Sequence, residues 1–108
     1  MKLREIAHSR TGDKGNTSNI SVIAYDPAHY QHLRDQVTVE RVRELYSGIV
    51  HGEIVRYELP RLGALNFVLH GALGGGVTRS LSLDAHGKGL SSALLNLEIG
   101  ELPDPRER

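Results

Sequence analysis

Between residues 54 and 70 the chain alternates apolar and polar side chains in two runs separated by a turn. Ile54 to Leu59 sets Val55, Tyr57 and Leu59 against Arg56 and Glu58, and Ala64 to His70 sets Leu65, Phe67 and Leu69 against Asn66, Val68 and His70. A period of two means pleated strands, each with one face toward a core and one away from it. Pro60 to Gly63 between them is turn chemistry, so both runs read as half-buried strands. In the second, Leu65, Phe67 and Leu69 point to the core while Asn66, Val68 and His70 point away from it. A sheet with one apolar face must be covered, and that requirement organises the rest of the chain.

Helical segments supply the cover. Asp26-Pro27 is an N-cap followed by proline at the first helical position, which predicts a helix running to about Ser47 with a break near Gln36–Val39. Val39, Val42, Tyr46 and Ile49 recur at three- and four-residue spacing and form its apolar face, and Gly48 and Gly52 stop it. Leu90, Ala93, Leu94 and Leu97 mark a closing helix after a turn bracketed by Gly87 and Gly89, and Leu95 to Ile99 reads as helix end or a last short strand. Three further strands are expected: residues 2 to 8, Asn19 to Tyr25 with both faces covered, and Val77 to Leu83 with Leu81 and Leu83 inward. The polar stretch SRTGDKGNTS reads as a loop by composition. The expected architecture is α+β, a two-layer sandwich of a mainly antiparallel sheet with two helices on one face.

Composition narrows function. The chain has 108 residues, enough for one domain, expected over 1–102 with 103–108 as a flexible tail. Cysteine is absent, which removes disulfides, thiolate nucleophiles and thiolate metal sites. Thirteen basic and thirteen acidic side chains cancel and are interspersed, so no bulk electrostatic grip on nucleic acid or membrane is expected. The N-terminal segment MKLREIAHSR has no apolar stretch of signal-peptide type and no run approaches a membrane span, so a cytoplasmic protein is expected.

The compositional oddity is glycine, twelve in all, six of them in two clusters. The first, Arg10-Thr11-Gly12-Asp13-Lys14-Gly15-Asn16, offers amide groups that can converge on an anion, with Arg10 and Lys14 adding charge and Asp13 orienting Lys14. Its spacing is not that of a Walker loop, and an ordinary polar turn has the same composition. The second, His70-Gly71-Ala72-Leu73-Gly74-Gly75-Gly76, precedes Arg79. Consecutive glycines cost backbone entropy, so a ligand, another subunit or a sharp bend must need the bare backbone there. Asn66 and His70 lie four residues apart on the non-core face of their strand, beside this loop. Because Val68 sits between them, that face is mixed in character and oligomerisation is expected.

Other constellations carry less. His29 and His32 make at most half a metal site, with no local residue to complete it, so no metal is expected. No G-x-S-x-G elbow and no pair of carboxylates for acid–base work stands out.

At the two glycine loops a family resemblance emerges. The segments REIAHSRTGDKGNTSNISVIA, YELPRLGALNFVLHGALGGGVTRSLSLD and GKGLSSALLNLEI resemble the small domain of AtuA-type proteins, associated with acyclic terpene utilisation. The resemblance spans residues 2 to 99 and rests on R-[ST]-G-D-K-G-[DN] and N-F-V-L-x-G-A-L-G-G-G. Asn16 stands where the motif is associated with Asp, which keeps hydrogen bonding but removes a charge. The family contains this domain both fused behind a large domain and as a separate chain, and this chain resembles the free-standing form. The resemblance implies a ferredoxin-like fold and a setting of acyl-CoA and branched terpenoid breakdown. It brings no catalytic mechanism.

Three functional expectations result. The first is a small subunit that works with a separately encoded large AtuA-type protein. In it Arg10, Lys14 and Arg79 hold a phosphate or carboxylate, as of a CoA ester, amides at Gly12, Gly15 and Gly74 to Gly76 line it, and Asn66 and His70 orient it. No resident cofactor is expected. The second is a stand-alone enzyme using Asp13, Lys14 or His70 as acid or base, which requires the two loops to converge. The third is a homo-oligomer whose glycine loops are packing elements.

Overall fold

The two alternating runs are realised as the antiparallel pair β3 (Ile54–Leu59) and β4 (Ala64–His70), joined by a 3-10 turn at Pro60–Leu62 and by Gly63 at φ +62°. The computed structural model describes residues 1–14, 17–48, 50–71 and 88–103. Its other elements are β1 (Ala7–Lys14), β2 (Thr17–Ala24), α1 (Tyr30–Gln36), α2 (Val39–Leu45) and α3 (Lys88–Leu95). The sheet order is β1-β2-β4-β3 with every neighbouring pair antiparallel. β2 and β3 therefore run parallel with β4 inserted between them, the split β-α-β arrangement of ferredoxin-like folds. The helices lie on one side, which gives the expected α+β two-layer architecture.

The core forms between sheet and helices. Leu65, Phe67 and Leu69 of β4 and Ile20 and Val22 of β2 meet Leu33 of α1, Val42 of α2 and Leu90 and Leu94 of α3, all fully buried. Each such side chain contributes roughly 1.5–3 kcal/mol by leaving water. The Asp26 carboxylate accepts from the Ala28 amide at 3.0 Å, and Pro27 opens a 3-10 turn that feeds α1. The expected break is present: α1 closes at Gln36, and the Thr38 hydroxyl caps α2 by accepting from the Arg41 amide at 3.2 Å. Tyr46 follows α2 into the core, where its hydroxyl donates to the Leu90 carbonyl. Ile49 and the strand expected over Val77–Leu83 lie outside the described residues, as does Gly87.

Several expectations are corrected. Leu3–Glu5 is a 3-10 turn rather than part of a strand, held by the Glu5 carboxylate accepting from the Lys2 amide at 2.7 Å. The polar stretch expected as a loop is largely strand: Ser9 to Lys14 belong to β1 and Thr17 and Ser18 to β2, the two paired in register from Ala7↔Ala24 to Lys14↔Thr17. Polar residues tolerate an edge strand because the ladder, not side-chain burial, holds them there. β2 is not covered on both faces: burial alternates along it, with Asn19 exposed and Ser21 and Ile23 half-buried opposite the buried Ser18, Ile20 and Val22. Finally, Gly89 lies in the first turn of α3 rather than in a preceding turn.

β3 is half-buried in an unexpected way. Opposite Leu69, Phe67 and Leu65 stand Ile54, Arg56 and Glu58, so Val55, Tyr57 and Leu59 occupy the face away from the helices. Arg56 earns its place by chemistry: its guanidinium donates to the Arg34 and Val37 carbonyls at 2.8 and 2.9 Å, satisfying the end of α1, and pairs with Glu58 at 3.1 Å. After α3 the ambiguous segment ends as a bridge, with Glu98 paired to Lys2 and the Leu3 amide donating to the Leu97 carbonyl at 2.9 Å.

Tyr30 packs into the core with its hydroxyl buried and without a hydrogen-bond partner among the described residues. Burial holds its phenol above the ordinary value of 10.0, helped by the Glu58 charge and opposed by Arg34 and Arg56. The fold therefore favours the neutral phenol, so this contribution to stability is complete below pH 10.0 and is lost as pH rises through the raised value. Tyr30→Phe is expected to leave the melting temperature at pH 7 unchanged or slightly raised, since an unsatisfied hydroxyl costs about 1 kcal/mol or more. It is also expected to flatten the decline in stability above pH 10.0. Thermal scans across pH check both, and a lower melting temperature at pH 7 contradicts the reading.

Candidate functional site

Antiparallel pairing places directly opposed residues on one face, so the register defines the surface turned away from the helices. Across β1, β2, β4 and β3 its rows read His8, Ile23, Ala64, Leu59; then Arg10, Ser21, Asn66, Tyr57; then Gly12, Asn19, Val68, Val55; and at the far end the register aligns Lys14, Thr17 and His70. Three side chains proposed from sequence, Arg10, Asn66 and His70, are thus brought to one surface that no described helix covers.

Arg10 is exposed, and its guanidinium makes no hydrogen bond or ion pair among the described residues. Asn66 is half-buried and anchored, its amide donating to the Ser21 hydroxyl at 2.9 Å. That bond orients the carboxamide from a neighbouring strand and leaves its carbonyl oxygen as an acceptor. His70 is exposed, while its backbone is fixed on both sides: its amide donates to Glu53 at 2.9 Å and its carbonyl accepts from Gly52 at 2.9 Å. An imidazole on so rigid a mount suits a positioning or binding role.

Gly12 has a different role from the one expected. It is a strand residue opposite Asn19, and a Cβ there would lie 3.3 Å from the Asn19 side-chain oxygen, so the bare backbone gives the carboxamide room. The Gly12 carbonyl accepts from the Ser18 hydroxyl at 3.1 Å. Successive amides of an extended strand point to opposite sides, so residues 12–14 do not form the convergent anion nest expected of a loop. Asp13 pairs in register with Ser18 and Lys14 with Thr17. Gly15, Asn16, Gly74, Gly75, Gly76 and Arg79 lie outside the described residues.

The end of the β1–β2 hairpin and the end of β4 lie at the same end of the sheet. Lys14 and His70 are separated by the single intervening position Thr17, which is two strand spacings, about 10 Å between backbones. A guanidinium, a carboxamide and an imidazole on one exposed surface can hold an anionic group by charge and hydrogen bonding.

Two features of this surface escape sequence reasoning. The alternation of β3 groups Tyr57 with its apolar side, yet it stands opposite Asn66 on the open face. Counting outward from the Leu59–Ala64 pair across the turn finds it there. His8 and Tyr25 stack with ring centroids 5.2 Å apart and planes at 27°, a contact no local pattern announces.

Comparison with known proteins identifies one relationship. The family model for the AtuA ferredoxin-like domain matches residues 1–100. No curated protein and no solved structure matches the chain.

Proposed function

The chain belongs to the AtuA ferredoxin-like domain family, and on that footing we propose that it is a small ligand-binding subunit working with a separately encoded large AtuA-type protein. The ligand is an acyl-CoA ester or a related carboxylate from branched terpenoid breakdown, held through its anionic group. The observation that carries this reading is the grouping of Arg10, Asn66 and His70 on an uncovered sheet face. Arg10 supplies a cation with no ion pair among the described residues, Asn66 an oriented amide and His70 a ring on a fixed backbone. Lys14, Gly15, Asn16, Gly74 to Gly76 and Arg79 complete the site in this proposal.

Titration of the complex of both chains with an acyl-CoA ester, with inorganic phosphate in parallel, tests the reading. Arg10→Ala and His70→Ala are each expected to weaken ester binding by about tenfold, the worth of one charge-assisted hydrogen bond. Unchanged affinity in both variants rejects the assignment of these residues, and absence of any ester binding rejects the ligand class.

One observation favours a second reading. Lys14 and His70 stand at the same end of the sheet, and this backbone placement supports a stand-alone enzyme. In that reading Asp13, Lys14 or His70 transfers a proton on a small acyl substrate. Turnover of acyl-CoA esters by the isolated chain, abolished by Lys14→Ala and His70→Ala, distinguishes it from the subunit reading.

A further inference from the structure

The sheet face has two ends of different character. Among the described residues, the large apolar side chains left exposed are Tyr25, Tyr57, Leu59 and Leu62, at 65, 54, 37 and 68 % of their surface. They are not scattered. Tyr25 follows the end of β2 and stacks on His8, Leu59 shares a register row with Ala64, Ile23 and His8, Tyr57 is in the next row, and Leu62 belongs to the turn joining β3 to β4. That turn is fastened to the same end, since the Ala24 amide donates to the Gly63 carbonyl at 2.9 Å. Single exposed apolar residues are ordinary, but a contiguous group at one end of a sheet marks a contact surface.

The charge around this group is mainly positive. Arg61 sits in the turn beside Leu62 and Arg10 lies two residues after His8 on β1, both exposed and both without an ion pair among the described residues. Of the carboxylates nearby, Glu58 pairs with Arg56, while the exposed Asp26 accepts from the Ala28 amide and keeps its charge. The acidic residue that the register brings toward the open face is Glu53, opposite His70 at the other end. The chain as a whole is neutral, so this asymmetry is local.

We propose that the Tyr25–Tyr57–Leu59–Leu62 end of the sheet is the docking surface for the large AtuA-type chain, and that the partner meets it with an apolar ridge flanked by a carboxylate that pairs with Arg61. This rests on the subunit reading above and names the surface it uses. Charge selects this occupant over a second copy: two such faces packed together bring arginines against arginines, whereas an acidic partner neutralises them. Aromatic side chains beside arginines are also the composition of well-buried contact centres. Arg10, Asn66 and His70, which hold the ligand in that reading, then lie at the margin of the joint surface.

The test is binding of the isolated chain to the large AtuA-type chain from the same genome, followed by titration calorimetry at several salt concentrations. Wild-type protein is expected to bind, with affinity falling as salt rises. Leu59→Asp and Arg61→Glu are each expected to weaken binding at least tenfold, whereas Glu40→Gln, on the exposed side of α2, changes it less than twofold. Far-UV circular dichroism confirms that each variant is folded, and Leu62→Asp, in a turn, serves as a further variant if Leu59→Asp unfolds. Wild-type binding that Leu62→Asp and Arg61→Glu leave intact overturns the docking surface but keeps the subunit reading. No wild-type binding overturns the subunit reading itself. A concentration-dependent homodimer abolished by Leu59→Asp assigns the face to a second copy and overturns the proposal.

Discussion

Phe67→Ala is expected to destabilise the domain by about 3–5 kcal/mol, enough to lower the melting temperature by more than about 12 °C or to prevent folding outright. Phe67 is the one phenylalanine of the chain and is fully buried at the middle of β4, a central strand. On its two sides in the sheet stand Ile20 and Arg56, and the helices close over it with Leu33, Val42, Leu90 and Leu94. Contacts from so many elements cannot all relax inward, so truncation leaves a cavity as well as losing transfer energy. Phe67→Leu keeps much of the volume and is expected to lose under half as much. Thermal and urea unfolding measure both variants. A loss below 1.5 kcal/mol for Phe67→Ala would show that the sheet and helices do not converge on this ring.

Gly52→Ala is expected to cost about 3 kcal/mol and to displace His70. A Cβ at this position would stand 2.5 Å from the His70 carbonyl oxygen and 2.8 Å from its carbon. Both obstacles are backbone, so no side-chain rotation relieves the clash. The segment leading into β3 and the end of β4 must separate, which strains the Gly52-to-His70 and His70-to-Glu53 hydrogen bonds together. Stability and ligand affinity should therefore fall in the same variant. Gly48→Ala is an instructive contrast: none of the described residues lies within 4 Å of a Cβ placed there, and φ of +82° opposes it, so about 1 kcal/mol is expected. Unfolding curves, with the amide resonances of His70 as a local probe, check the prediction. A Gly52→Ala protein as stable as wild type, with His70 unshifted, contradicts it.

Parts of this molecule are legible from short stretches of sequence because local chemistry enforces them. The Asp26-Pro27 start, the break capped by Thr38, the alternation of Leu65, Phe67 and Leu69 and the Leu90–Leu94 face each express one element's own geometry. The strand from His8 to Lys14 is not legible in this way. Its residues are polar and glycine-containing, and what makes them a strand is a ladder to β2 that no local pattern encodes. Arg56 misleads for a related reason: a charged residue reads as solvent-facing until the end of α1 arrives with two carbonyls to satisfy.

The candidate site shows the same division. Sequence alone placed Asn66 and His70 on the non-core face of β4, because a period of two leaves no other choice once Leu65, Phe67 and Leu69 are buried. It also supplied the family motifs and, with a neutral and cysteine-free composition, removed whole classes of chemistry. Only the tertiary structure decided that Arg10 joins Asn66 and His70 on that face, that Tyr57 and Leu59 lie there too, and that the first glycine cluster begins inside a strand. Each of these depends on which residue stands opposite which across strands distant in the chain. Pairing register is a property of the assembled sheet, set by the common burial of side chains from every strand and the helical layer, and no single segment contains it.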